Sequence, residues 1–403
     1  MVNRRLPRWE ELAPLIGRPD PALSRAQARL ERCASIGDLR ARARRRVPRA
    51  VFDYVDGAAG TETSLLRSRQ AFARVQFRPR VLRDVSDVDP SVTMLGERSA
   101  LPFAFAPTGF TRMMHHVGEP AVARAAGDAG IPYALSTLGT TSLEDLAAEA
   151  PDTRRWFQLY VWRDRMAAEA LVRRAEASGY DTLILTVDTA VGWIRLRDVR
   201  NGLTIPPQLR AATIAQMALY PRWWANVLTT PPLEFASLTS TGGTVGDLLT
   251  EVFDPSIGPE HISWLRGIWP GRLILKGIQS VEDARLAADL GADAIVLSNH
   301  GGRQIDMGNV PLELLPGVVE AVGDRVEVYI DGGITSGADI VAACAFGARG
   351  VLVGRAYLYG LMAGGADGVR RTVAILEKEI RTTMQLLGVR SIAELDPGYV
   401  TLR

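Results

Sequence analysis

Eight short runs rich in Val, Ile, Leu and Phe, each followed by an Ala-rich amphipathic stretch, constrain this chain more than any other feature. The runs are Leu101–Gly109, Ile131–Thr137, Trp156–Val161, Thr182–Asp188, Arg272–Ile278, Asp293–Asn299, Glu327–Gly333 and Gly350–Arg355. Apolar runs of this length suit strands buried on both faces, and the stretches between them suit crossover helices. Three of those helices open with a hydroxyl three residues ahead of a carboxylate: Ser142 and Asp145, Ser280 and Asp283, Ser336 and Asp339. That is the capping-box spacing. Gly130, Gly179, Gly291 and Gly347 stand where helices should stop, just before the next strand. Eight strand-then-helix units predict an α/β chain folded as a closed parallel (β/α)8 TIM barrel, with an open doubly wound sheet as the competing arrangement.

The rest of the chain decorates that repeat. Residues 1–35 are Arg- and Pro-rich and read as an arm lying on a surface or on a neighbouring subunit. Residues 36–97 read as an extension packed on the barrel. Its spacing is helical to about Ala73, broken at Asp56-Gly57-Ala58-Ala59-Gly60, and a β-rich stretch follows from Gln76 to Met94. The barrel occupies 98–395, interrupted after the fourth strand by an insertion over 199–270, far longer than an ordinary barrel loop. Such an insertion over a barrel mouth serves as a lid, a flap or a partner contact.

Charge and cysteine content exclude several classes. Forty-seven basic against 45 acidic residues give a net charge of +2, so there is no global basic field for nucleic acid. Cys33 and Cys344 cannot staple a chain of 403 residues or make a zinc site alone, so no metal is expected; they fit a reducing cytoplasm. No apolar run long enough to span a bilayer occurs, and the first residues lack the apolar core of a signal peptide. Only Lys276 and Lys378 are lysines among those 47 basic residues, a hint that Lys276 is kept for its compact ammonium.

Chemistry in such a barrel sits at the carboxyl ends of the strands, and all eight ends here are polar. They carry Pro107-Thr108-Gly109, Ser136, Gln158 with Tyr160, Thr186 with Asp188, Lys276, Ser298 through Arg303, Asp331-Gly332-Gly333, and Gly354-Arg355. The seventh and eighth ends read as a phosphate cradle. Glycines let backbone N–H groups approach an anion, the helix opening at Ser336 adds its positive end, and Arg355 adds charge. His300 could accept a proton near neutral pH, above all beside a carboxylate such as Asp188. Arg303 with Arg195 would clamp a carboxylate, although Arg197 and Arg200 offer the same chemistry and position alone does not choose among them.

The segment Ser298-Asn299-His300-Gly301-Gly302-Arg303-Gln304, with Leu275-Lys276-Gly277 before it and Asp331-Gly332-Gly333 after it, resembles the FMN-dependent L-2-hydroxy-acid oxidases and dehydrogenases. Pro107 to Arg112, Arg197 to Gly202 and Gly354 to Gly360 look most like the bacterial L-lactate dehydrogenases. The resemblance implies that His300 is the active-site base and Asp188 its orienting carboxylate. It implies that Arg195 and Arg303 bind the substrate carboxylate, and that Tyr54 and Tyr160 donate hydroxyls to it. Lys276 would lie by the flavin N1–C2 carbonyl. Pro107, Thr108, Gly109, Ser136, Gln158, Thr186 and Ser298 would contact the isoalloxazine and ribityl chain. Asp331, Gly332, Gly333, Ile334, Thr335, Gly354 and Arg355 would hold ribityl hydroxyls and phosphate. One residue departs from the pattern: many members have arginine where this chain has Thr335, so the phosphate would lean on Arg355 and backbone amides.

The same resemblance implies L-lactate as substrate, with larger aliphatic or aryl acids open because Leu138, Phe110 and Gly192 set the room. It implies a quinone or other acceptor, a tetramer, and a peripheral contact with the inner face of the membrane through 203–260. Trp223-Trp224 beside Arg222 would suit that contact, or would pack on the barrel or another subunit. Gly109 weighs mildly against oxygen as acceptor. An oxidase or decarboxylating monooxygenase remains as an alternative reading, and a Schiff-base aldolase using Lys276 or a barrel that only binds a phosphorylated ligand are more distant ones. Whether hydrogen leaves Cα as hydride or as proton is open.

Overall fold

In a computed structural model, described for residues 5–13, 23–160, 164–192, 194–203, 211–238 and 254–403, eight parallel strands close into a barrel. They are β1 (Phe103–Phe105), β2 (Tyr133–Ser136), β3 (Arg155–Leu159), β4 (Thr182–Thr186), β5 (Arg272–Ile278), β6 (Ala294–Leu297), β7 (Glu327–Ile330) and β8 (Gly350–Val353). Each pairs with its neighbours in sequence, and β8 closes on β1, which excludes the open sheet. Most strands are shorter than the apolar runs that announced them. In those runs the last residues leave the ladder and become the mouth of the barrel; Val161, the end of the third run, lies outside the described residues. The Ser142, Ser280 and Ser336 side chains each accept the N–H three residues on, as their spacing predicts.

At the opposite end the barrel is plugged. Trp156, Ile184, Ile274, Val296, Tyr329 and Leu352 point inward and form one cluster with Met94 and Leu95. Those two sit at the tip of a hairpin pairing Val92–Met94 with Glu97–Ser99, and the Leu95 N–H donates to the Glu327 carboxylate at 3.0 Å. The expected β-rich stretch is strand only at its ends. Its first part, Val75–Phe77, pairs antiparallel with Val400–Leu402 at the far end of the chain.

Three helices build the extension: α1 (Ile36–Arg46), α2 (Arg49–Asp56) and α3 (Thr63–Ala73). The predicted break falls between α2 and α3. A second break precedes Pro48, whose ring disfavours helix in the residue before it. From Ser24 onward the expected arm lies on its own chain. Leu30 is buried, and the Arg371 guanidinium of the C-terminal helix (Arg355–Leu387) donates to the carbonyls of Glu31 and Cys33. Residues 1–4 and 14–22 of the arm, and 204–210 and 239–253 of the insertion, lie outside the described residues. In the described part of the insertion the tryptophans turn inward. Trp223 is buried with its indole N–H on the Met113 carbonyl, and Trp224 donates to the Met217 carbonyl. The large apolar side chains exposed there are Val199, Ile214, Leu219 and Leu228.

Asp56, buried at the end of α2, fastens the extension to the barrel. It accepts from Arg40 at 2.5 and 2.8 Å, from Arg197 at 3.0 Å and from the Tyr359 hydroxyl at 2.8 Å. Burial alone would raise its pKa, but these donors hold it down to about 2. A carboxyl depressed in the fold stabilises it above the unfolded value near 4, and that contribution is lost as pH falls toward 2. Asp56→Asn is therefore expected to cost about 1–3 kcal/mol at neutral pH, because a buried acceptor loses its charge-assisted hydrogen bonds while the partly exposed Arg40 and Arg197 turn to solvent. Urea midpoints at pH 7 and pH 3 should show a shallower acid loss in the variant than in the wild type. Equal losses would mean that Asp56 does not carry this linkage.

Candidate active site

The carboxyl ends of the strands, the end of α2 and the start of the insertion enclose a cavity of about 740 Å³, the size range of sites for large organic ligands. Seventeen of the expected catalytic, substrate-binding and cofactor-binding residues line it. They are Tyr54, Pro107, Thr108, Gly109, Ser136, Tyr160, Arg195, Lys276, His300, Arg303, Asp331, Gly332, Gly333, Ile334, Thr335, Gly354 and Arg355. Gln158, Thr186, Ser298 and Asp188 do not reach the wall and stand one layer behind it. The Gln158 amide oxygen accepts from the Ser136 hydroxyl and its NH2 donates to Thr186, so these residues fix Ser136 rather than offering atoms of their own. The Ser298 hydroxyl accepts from Lys276 Nζ at 3.0 Å and from the His300 N–H at 2.9 Å.

His300 has a left-handed backbone, φ 57°, which non-glycine residues rarely adopt and which costs on the order of 1 kcal/mol. The turn is held from below: the Asn299 side chain accepts the Gly302 N–H. This twist places His300 Nδ1 3.0 Å from one Asp188 oxygen and 3.3 Å from the other. Nδ1 therefore donates to the carboxylate, and Nε2 is left as the proton acceptor. Asp188 is almost wholly buried. Burial pushes it up, yet the charge and hydrogen bond of His300 and the charge of Lys276 bring it below the usual carboxylate range. Gly277, φ 108°, makes room for it, since a Cβ there would lie 2.7 Å from the Asp188 side chain.

Two guanidiniums flank the Tyr54 ring, Arg195 at 5.1 Å and Arg303 at 5.0 Å from its centroid. Arg303 Nη1 donates to the Tyr54 carbonyl at 2.5 Å. Burial first, and the Arg195 charge second, push the Arg303 guanidinium down to about 9. Two cations this close, one of them desolvated, make a site that an anion stabilises. The fold also settles which arginine joins Arg303. Arg197 is spent on Asp53, Asp56 and Glu62, and Arg200 is exposed away from the cavity.

Sequence reasoning passed over Asp198 and Arg69. Asp198 lines the cavity, is buried, and holds Arg195 Nε at 2.6 Å. Burial raises its pKa against the pull of Arg195 and Arg303. Only the i, i+3 spacing from Arg195 announced it. Arg69 comes from α3, and nothing in its local sequence marks it. Phe235 of the insertion packs on Phe110 at 4.6 Å between centroids and backs the wall.

The expected phosphate end needs one correction. The helix opening at Ser336 has few amides to spare for an anion, because Thr335 and Ser336 N–H donate to the Asp339 carboxylate, Gly337 N–H to Glu379 and Asp339 N–H to the Ser336 hydroxyl. The C-terminal helix, by contrast, starts at Arg355 behind Gly354 with no side-chain cap.

The wall suits a flavin mononucleotide. Asp331 Oδ1 is buried without a hydrogen-bond partner among the described residues, while Oδ2 pairs with Lys276 Nζ at 3.1 Å, so the free oxygen is an acceptor for a ribityl hydroxyl. Gly332 and Gly333, at φ 87° and 82°, keep the adjacent wall open to backbone N–H contact. Burial alone would strip the Lys276 charge, but Asp331 and Asp188 raise its pKa, so it stays an ammonium. That state opposes the aldolase reading, which needs a free amine. Among the described residues no group of three or more His, Cys, Asp or Glu could hold a metal ion.

Known proteins agree with the geometry. A Mycobacterium tuberculosis protein provisionally named an L-lactate dehydrogenase is 53% identical over 400 residues, 99% of this chain and 97% of that protein. The 4-hydroxymandelate oxidase of Amycolatopsis orientalis is 44% identical over 362 residues, 89% of this chain and 95% of that one. The crystal structure of the monotopic membrane protein (S)-mandelate dehydrogenase superposes with a TM-score of 0.89 at 38% identity, covering 92% of this chain and 100% of that chain. The FMN-dependent dehydrogenase model matches residues 43–402, and with His300, Asp188 and the paired arginines gathered at one barrel mouth, the chain belongs to the FMN-dependent dehydrogenase family of 2-hydroxy-acid oxidoreductases.

Proposed function

We propose that the chain oxidises L-lactate to pyruvate and passes the electrons to a quinone. The observation that carries the reading is the His300–Asp188 pair opening on the same cavity as Arg195 and Arg303. Bound FMN supplies the two-electron acceptor. Arg195 and Arg303 hold the substrate carboxylate from two sides, which aims Cα and its hydroxyl into the cavity. Tyr54 and Tyr160 donate hydroxyls to the same anion. His300 Nε2 accepts a proton from the substrate, and Asp188 stabilises the imidazolium that results. Asp198 holds Arg195 in place through its Nε. Lys276, Ser136, Pro107 to Gly109, Asp331 and the Gly332–Gly333 turn would hold the cofactor.

The choice of acid rests on the apolar wall. Leu138 and Phe110, the latter backed by Phe235, give the cavity an apolar wall suited to the methyl group of lactate. The choice of acceptor rests on the insertion. Exposed Ile214, Leu219 and Leu228, with exposed Arg222 in the same segment, suit the edge of a bilayer, and the (S)-mandelate dehydrogenase neighbour is itself a monotopic membrane protein. Among the described residues no helix is long and apolar enough to cross a membrane. Tetrameric assembly rests on the family resemblance alone.

Anaerobic mixing of the yellow protein with L-lactate should bleach the flavin absorbance, and a quinone analogue should restore it faster than oxygen does. Bleaching by mandelate alone, or faster return with oxygen, would replace lactate or quinone in the reading. His300→Ala should retain FMN and slow the bleaching by roughly 10²–10⁴-fold; an unaltered rate would remove the imidazole from the reaction. Arg303→Met should raise KM for L-lactate by roughly 10- to 100-fold, the worth of a charge-assisted contact. A KM unchanged by that substitution would show that Arg303 does not bind the carboxylate.

A further inference from the structure

Thr335 leaves the phosphate end of the cavity without the arginine seen in many relatives, and Arg355 does not simply replace it. Its Nε donates to the Val55 carbonyl at 2.9 Å, Nη1 to Gly301 at 2.8 Å and Nη2 to Gly57 at 2.8 Å. Three of its five N–H groups are thus committed to backbone before any ligand arrives. Arg69 borders the same space. It lines the cavity with Gly333, Thr335, Gly354 and Arg355, and it is half-buried. Its helix, α3, is pressed against the strand-seven turn so closely that a Cβ on Gly333 would lie 2.6 Å from the Ser68 carbonyl. Among the described residues Arg69 has no ion pair and no hydrogen bond to a side chain, whereas Asp56 and Glu62, the nearby carboxylates, are taken by Arg40 and Arg197. Burial pushes the Arg355 guanidinium down, Tyr359 and Asp56 oppose this, and the charge of Arg69 adds to the depression. Two unneutralised guanidiniums facing one cavity at an uncapped helix start form a site for a dianion.

Building on the FMN reading above, we propose that Arg69, contributed by the N-terminal extension rather than by the barrel, is the side-chain cation that binds the FMN phosphate in place of the arginine missing at Thr335. The extension then does two jobs: it carries Tyr54 to the substrate and Arg69 to the cofactor.

The test compares two flavins on the same apoprotein, stripped of bound cofactor. Riboflavin has the ring system and ribityl chain of FMN but no phosphate. Quenching of flavin fluorescence gives a dissociation constant for each, independent of turnover. Arg69→Met is expected to weaken FMN binding by roughly 10- to 100-fold, the worth of a charge-assisted contact, and to leave riboflavin binding unchanged. Arg69→Lys should keep part of the preference for FMN, and adding Thr335→Arg to Arg69→Met should restore much of it. Equal weakening of both flavins would reduce Arg69 to a helix-packing residue, and an unchanged FMN constant would overturn the proposal. If the wild-type apoprotein took up neither flavin, the FMN reading itself would fall, an outcome distinct from both.

Discussion

Two buried guanidiniums at the end of one helix hold the site together. The last carbonyls of a helix have no partner within it. At the end of α2 these carbonyls accept from Arg303, which donates to Tyr54, and from Arg355, which donates to Val55 and Gly57. Both arginines come from barrel strand ends, after β6 and β8. A helix terminus with its negative dipole end is thus latched by cations across the barrel mouth. The same latch that docks the extension brings the Tyr54 ring between two guanidiniums and closes one side of the cavity. Asp56, one residue on, adds Arg40, Arg197 and Tyr359 to the fastening.

This arrangement explains why charges that would be costly alone persist in a water-poor cavity. Arg303 and Arg355 are desolvated, which is unfavourable for a cation. Backbone carbonyls offset part of that cost, and the remaining N–H groups face the cavity. In the proposed function, the carboxylate of a 2-hydroxy acid and the phosphate of FMN would be the anions that complete the two ends. His300 and Asp188 show the same economy on the proton-transfer side: a strained backbone, fixed by Asn299 and Ser298, sets the imidazole on a buried carboxylate.

Much of this was legible in the sequence because it is local or periodic. The eight apolar runs gave the barrel, the Ser–x–x–Asp spacings gave helix starts, and the segment around His300 gave the family resemblance. Position after the fourth strand did not separate Arg195 from Arg197 and Arg200. That choice is made by Asp53, Asp56 and Glu62, which lie more than 130 residues upstream and capture Arg197. Arg69 and the inward turn of Trp223 were illegible for the same reason, since each is defined by a partner far away in the chain. The helix start at Ser336, read as a positive end for phosphate, offers less than its spacing suggests because Asp339 and the distant Glu379 take the Thr335, Ser336 and Gly337 amides.

The central claim is that the two guanidiniums and the imidazole converge over the bound flavin to receive a carboxylate. Titration of the oxidised holoprotein with oxalate, which carries carboxylates but no oxidisable Cα–H, tests this most directly through the visible flavin spectrum. The account predicts a saturable spectral change at neutral pH that weakens at least tenfold when Arg195 is replaced by Met, while the flavin stays bound. A spectrum indifferent to oxalate, or an oxalate affinity indifferent to Arg195, would contradict it.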